Sequence, residues 1–129
     1  MIRPRSFFGF DGMRTKVSRR FVPISRLVGC PARDRVGERI GRIDDLVLDA
    51  GSDRVAFVLL SIDGFLRANR LFALPPRAIV VDGDVATVPF DRTILKNAPA
   101  LDVDERDLLA DRAYALNVYA YYGYTPFWE

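Results

Sequence analysis

The run Val55-Ala56-Phe57-Val58-Leu59-Leu60-Ser61-Ile62 constrains the fold of this chain more than any other segment. As an extended strand it points Val55, Phe57 and Leu59 to one side and Ala56, Val58, Leu60 and Ile62 to the other. Both faces are apolar, so a sheet built around this strand needs a core on one side and a second layer on the other. The uninterrupted part, Val55 to Leu60, falls far short of the roughly 20 residues that span a bilayer as a helix, and no transmembrane segment is read from the chain.

The flanks of this run read as further short strands separated by turns. Leu27-Val28-Gly29-Cys30 is expected as a first strand stopped by Pro31, and Arg39 to Leu48 as a second. Ala50-Gly51-Ser52-Asp53 has the composition of a turn leading into Val55. Gly64 and Arg67-Ala68-Asn69-Arg70 suit a loop, and Leu71 to Leu74 a short strand ended by Pro75-Pro76. Ala78 to Val81 and Val85 to Val88 pair as a hairpin around Asp82-Gly83-Asp84, where Asp-Gly favours positive φ.

After Phe90 the period becomes helical. Asp91 caps a short helix through Asn97, ended by Ala98-Pro99. Asp104 is the expected cap of a longer helix from about Glu105 to Tyr122, with Gly123 as its stop. Leu109, Ala113, Leu116 and Ala120 fall at i, i+4, i+7 and i+11, and this stripe is the expected cover for the doubly apolar strand. The chain thus divides into a basic arm (1–22), a β domain (23–90) and a helical extension with an aromatic tail (91–129).

The segment Gly37-Glu38-Arg39-Ile40-Gly41-Arg42-Ile43-Asp44-Asp45-Leu46-Val47-Leu48-Asp49 follows a G-x-x-I-G-x-I-x-D-x-x-x-D pattern and feeds through a turn into the apolar run. This pattern resembles the PRC-barrel family. Its members are small β-barrels such as the cytoplasmic domain of the photosynthetic reaction centre H subunit and the C-terminal domain of a ribosome maturation factor. The resemblance covers about Ile24 to Phe90, and Gly37, Gly41, Ile43, Asp49 and Pro75 are the matching residues. It implies a mainly β fold, a small PRC-type barrel with a C-terminal α-helical extension. Some members also carry an extension with an Ala-Pro element and an aromatic ending similar to Tyr121-Tyr122-Gly123-Tyr124-Thr125-Pro126-Phe127-Trp128. The chain departs at Pro76-Arg77, where many members place an aromatic after the proline. The reaction-centre role does not carry over, because no transmembrane helix precedes the barrel.

Charge is divided unevenly. Up to Arg42 there are eleven Lys or Arg against Asp11, Asp34 and Glu38, and beyond it eight against fourteen acidic side chains. Such a split marks either a basic arm seeking an anionic surface or two halves that attract each other or a second copy. The barrel pattern begins only after Met13, which makes Met13 a second candidate for the start of translation. No segment of signal-peptide type is read, and the single cysteine, Cys30, forms no intrachain disulfide. Together these place the expected location in the cytoplasm.

Catalytic vocabulary is sparse. The chain has no histidine, which removes the commonest general base, the Ser-His and Cys-His nucleophile pairs and the commonest zinc ligand. It also lacks phosphate-cradling glycine motifs. Asp44 and Asp45, as strand neighbours, are expected on opposite faces, a poor geometry for paired carboxylates. Asp49 and Asp53 read as turn formers rather than ligands for a hard cation. No enzyme activity, cofactor or metal is therefore expected.

Binding chemistry is richer. All five tyrosines and the only tryptophan lie in the last sixteen residues, where they either fold back as an aromatic lid on the barrel or form an interface, since aromatics dominate interaction hot spots. The first reading is a protein-interaction or adaptor module that forms a homodimer, with Tyr121, Tyr122 and Trp128 as candidate interaction residues. The second is an RNA- or ribosome-associated factor holding phosphates with Arg14, Lys16, Arg19 and Arg20. The third places Arg3, Arg5 and Phe7, Phe8 and Phe10 on an anionic membrane surface.

Overall fold

The structure is a computed structural model describing residues 21–64 and 70–128. Arg14, Lys16, Arg19 and Arg20, with the rest of the chain up to residue 20, lie outside the described residues, as does Arg67-Ala68-Asn69 of the expected loop.

Among the described residues seven strands form one sheet: β1 (Pro31–Arg33), β2 (Arg39–Asp49), β3 (Arg54–Ile62), β4 (Arg70–Leu74), β5 (Val80–Asp82), β6 (Val85–Thr87) and β7 (Ala100–Asp102). Their order is β5-β6-β1-β2-β3-β4-β7, antiparallel except where β1 and β6 run parallel. The fold is mainly β as expected, but no ladder among the described residues joins β5 to β7, so the sheet does not close. Among the described residues three helices accompany it: α1 (Ile24–Leu27), α2 (Arg92–Lys96) and α3 (Arg112–Tyr122). A 3-10 turn over Arg106–Ala110 precedes α3.

The doubly apolar run is the centre of the sheet. β3 pairs with β2 on one side and β4 on the other, and every residue from Ala56 to Leu60 is buried. Leu59 and Leu60 are fully enclosed, and each such side chain contributes about 1.5–3 kcal/mol of transfer free energy. Gly41 permits the close approach of β2 to β3 here: a Cβ at this position would run into the Ser61 carbonyl oxygen. The turn between the two strands contains Asp53 at φ 58, and the Asp49 carboxylate accepts from the Gly51 amide (3.1 Å) and the Ser52 hydroxyl (2.8 Å).

Several boundaries differ from the expected ones for identifiable reasons. The expected strand Leu27–Cys30 does not form: Leu27 ends a helical turn, Ile24–Leu27. Gly29, at φ 91, then redirects the chain, and Pro31 starts β1 instead of ending a strand. Proline is tolerated there because it occupies the first strand position. β7 was not foreseen, since its three residues contain a single large apolar side chain, Leu101, which is buried against β4.

The long helix expected from Glu105 is broken. Asp111 adopts extended backbone (φ −77, ψ 120) and caps α3 by accepting from the Tyr114 amide at 3.0 Å. Asp104 is not the cap, and the neighbouring Glu105 carboxylate instead accepts from the Asp102 amide. The break rotates the buried face. Ala115, Val118, Tyr119 and Tyr122 are buried on α3, whereas Ala113 and Ala120 are exposed and Leu116 is half-buried. Only Leu109 of the expected stripe is buried. The C-terminal stop holds, with Gly123 in the left-handed region at φ 81.

Candidate interaction groove

The β2–β3 ladder contains two register shifts. Between Ile43↔Leu60 and Asp45↔Leu59 the strand β2 has an extra residue, Asp44, and between Val47↔Phe57 and Leu48↔Val55 the strand β3 has an extra residue, Ala56. These are β-bulges, which re-aim side chains and leave ladder groups unpaired. The C-terminal extension attaches at both of them.

At the first bulge, Arg106 spans the acidic doublet. Its Nη2 donates to Asp44 Oδ2 at 3.1 Å, its Nη1 to Asp45 Oδ2 at 2.6 Å and its Nε to the Val103 carbonyl at 3.1 Å. The expectation that Asp44 and Asp45 face opposite ways is therefore corrected: the bulge brings both carboxylates within reach of one guanidinium. The planar fork of arginine suits this two-carboxylate arrangement. Solvent reaches Arg106 and Asp45, so the contribution of each ion pair stays near 1 kcal/mol or below.

At the second bulge, the Tyr119 hydroxyl donates to the Ala56 carbonyl at 2.7 Å. The residue skipped by the β2–β3 register thus finds its partner on α3. Burial pushes the Tyr119 hydroxyl up to about 12, with the Arg54 charge pulling the other way, so the phenol keeps the proton it donates. The ring packs edge-on to Phe57 at 5.6 Å and to Trp128 at 4.9 Å. Trp128 also approaches Phe57 at 6.2 Å and Phe127 at 5.0 Å, while Arg54 lies 3.9 Å over the Phe127 ring. The aromatic end of the chain therefore covers Phe57 within the same molecule.

The cover is incomplete. Between the outer ends of β2 and β3 and the 3-10 turn lies an open groove of about 620 Å³. Ala56, Phe57, Leu109 and Ala115 supply apolar lining, with Trp128 at one side. Asp49, Asp107, Arg106 and Arg112 line it with charge, and Leu48, 61% exposed, belongs to its lip.

The residues singled out from the sequence are distributed unevenly around this site. Trp128 lines the groove. Tyr122 points elsewhere, buried against Phe90 at 5.0 Å, and Tyr121 donates to the Ile94 carbonyl at 2.6 Å, so these two fix α3 to the region of α2. Arg14, Lys16, Arg19 and Arg20 cannot be related to the groove, being outside the described residues. Arg106, Leu48, Ala110 and Asp107 were not foreseen. One signal for Arg106 existed: period two puts Asp45 on the same face as the buried Ile43, and a carboxylate in an inward row implies a bulge or a cationic partner.

Other chemistry is accounted for locally. Cys30 is buried, and burial together with the charge of Asp84 raises its thiol, which holds it in the unreactive protonated form. Among the described residues no three His, Cys, Asp or Glu side chains gather as a metal-binding group. Among the same residues no helix is long and apolar enough to cross a membrane.

Comparison with known proteins agrees with the architecture. No curated protein matches the chain at a significant level. The family model for the PRC-barrel domain matches residues 20–95, which takes in α1, strands β1 to β6 and most of α2. With more than half of its length matched in this way, the chain belongs to the PRC-barrel family.

Proposed function

We propose that this PRC-barrel protein is a non-catalytic interaction module, a self-associating adaptor whose binding surface is the groove between the β2–β3 face and the C-terminal extension. The observation that carries the reading is the composition of that groove, an apolar floor from Ala56, Phe57 and Leu109 surrounded by charged side chains of both signs. Protein interfaces have this arrangement, with an apolar centre and a polar rim. Small-molecule sites enclose most of their ligand, whereas this groove is partly open to solvent.

The rigid frame around the groove supports the same reading. The Arg106 bridge and the Tyr119 hydrogen bond fix the extension to the two β-bulges, so a partner meets a preformed surface and loses little to ordering it. A photo-crosslinking residue placed at the exposed Ala50, on the groove, tests the assignment against one at the exposed Arg77, outside it. Discrete protein adducts are expected from Ala50 and not from Arg77, and Ala110→Trp, which fills the groove from an exposed position, is expected to remove them. Equal adducts from both positions, or none from Ala50, contradict the assignment.

A further inference from the structure

We propose that α1 and its flanks form an attachment site for an anionic lipid bilayer, the Ile24 and Val28 side chains entering the acyl boundary while neighbouring arginines meet the phosphates. The site lies apart from the groove, none of whose lining residues comes from α1. It also does not depend on Phe7, Phe8 and Phe10, which lie outside the described residues.

The first support is an apolar ridge that the core does not use. Phe21, Ile24 and Val28 are 79%, 60% and 41% exposed, and no residue of α1 is buried. The Val28 amide donates to the Ile24 carbonyl at 3.0 Å, so these two side chains stand one turn apart on the same side of the helix. The ridge is held in place at its C-terminal end. There the Gly29 amide donates to the Ile43 carbonyl at 2.7 Å, and the Ile43 amide to the Cys30 carbonyl at 3.0 Å. Apolar side chains presented in this way suit the boundary between headgroups and acyl chains.

The second support is charge of one sign. Between Asp11 and Asp34 the chain has six basic side chains and no acidic one. Arg19 and Arg20 directly precede Phe21, and Arg26 lies within α1 and is exposed. Arg42, also exposed, is the β2 residue before the Ile43 tie. Neither Arg26 nor Arg42 enters a salt bridge among the described residues. This sign attracts an anionic surface and sets two copies of the ridge against each other. Nucleic acid would reward the arginines and leave Ile24 and Val28 in water, so ridge and charge together favour a bilayer.

Co-sedimentation of the full chain with phosphatidylcholine vesicles, with and without phosphatidylserine, reads the outcome. Wild type is expected to bind only the vesicles that contain phosphatidylserine, and less as salt rises. Ile24→Ser combined with Val28→Ser is expected to lower the partition coefficient at least about tenfold. Its circular dichroism and melting midpoint should stay near wild type, because both positions are exposed. Arg26→Ala is expected to lower the coefficient about fivefold. Ile24→Trp should raise it, since tryptophan favours the membrane interface. Val80→Ser, at an exposed apolar position on the β5 edge, is the control and should bind like wild type. A wild type that leaves the phosphatidylserine vesicles unbound at low salt overturns the inference. So does equal binding to both vesicle types, or a double variant that binds like wild type. Binding to mixed-sequence RNA that outcompetes the vesicles and survives the double substitution assigns the surface to nucleic acid and overturns it as well. None of these results bears on crosslinking from Ala50, so the groove stands or falls separately.

Discussion

Replacing Tyr119 by Phe removes one oxygen atom and tests the seating of the extension on the second bulge. The ring contacts to Phe57 and Trp128 survive the change, because they involve the phenyl faces and edges. What disappears is the 2.7 Å hydrogen bond to the Ala56 carbonyl. Ala56 is the residue skipped in the register with β2 and is 6% exposed, so its carbonyl has little access to replacement water. Leaving a buried acceptor unsatisfied costs about 1–3 kcal/mol, more than the net value of an ordinary exchangeable hydrogen bond. For a domain of this size that corresponds to a fall in melting temperature of roughly 3–12 °C. Urea unfolding followed by far-ultraviolet circular dichroism gives the magnitude. Fluorescence of Trp128, the chain's only tryptophan, reports on the extension itself. The Trp128 signal is expected to change at lower urea in the variant than in wild type. A variant within about 0.5 kcal/mol of wild type, with coincident transitions, would refute the reasoning, since that is the scatter of surface substitutions.

Three further outcomes follow from the same geometry. Arg106→Ala should destabilise by about 1 kcal/mol, and a double-mutant cycle with Asp44→Ala should return a coupling of roughly 0.5–1 kcal/mol that shrinks in high salt; zero coupling at low salt would show that the bridge does not hold the extension. Gly41→Ala should cost about 1–3 kcal/mol or more in chemical denaturation, because its new Cβ meets the Ser61 carbonyl in the middle of a ladder, and a neutral result would contradict the close β2–β3 approach. Burial raises the hydroxyls of Tyr114, Tyr119 and Tyr122, so folding favours their protonated forms. That stabilisation is complete below the ordinary tyrosine value of 10 and, for Tyr119, is lost as pH rises through about 12, so stability should fall across this alkaline range and less steeply in Tyr119→Phe.

The strands were legible where apolar alternation and turn chemistry agreed. β2, β3 and β4 are long or strongly apolar, and each has a glycine, aspartate or proline at its end. α2 was equally legible through its Asp91 cap, which accepts from the Ile94 amide at 3.0 Å. α1 and β1 were misplaced because Leu27-Val28 has strand-like composition, while the position of Gly29 in the left-handed region is set by tertiary pairing with Ile43. The helical extension was read one face off. Asp104 and Asp111 are both acceptable caps, and a helical period continued through Leu108-Leu109-Ala110 hides the break at the second of them. The groove was the least legible feature. It depends on two bulges, and a bulge shifts register by one residue while leaving at most an indirect trace, such as the carboxylate of Asp45 in the inward row of Ile43.

Backbone amide shifts in a dilution series, recorded by two-dimensional nuclear magnetic resonance on the isotope-labelled chain, test the groove as the interaction surface most directly. The account predicts concentration-dependent shifts concentrated at Val47 to Ala50 and Asp107 to Ala110, with the indole signal of Trp128 moving alongside them. Shifts confined to the β5 edge around Val80, or a spectrum that does not change with concentration while Ala50 crosslinks nothing, would contradict it.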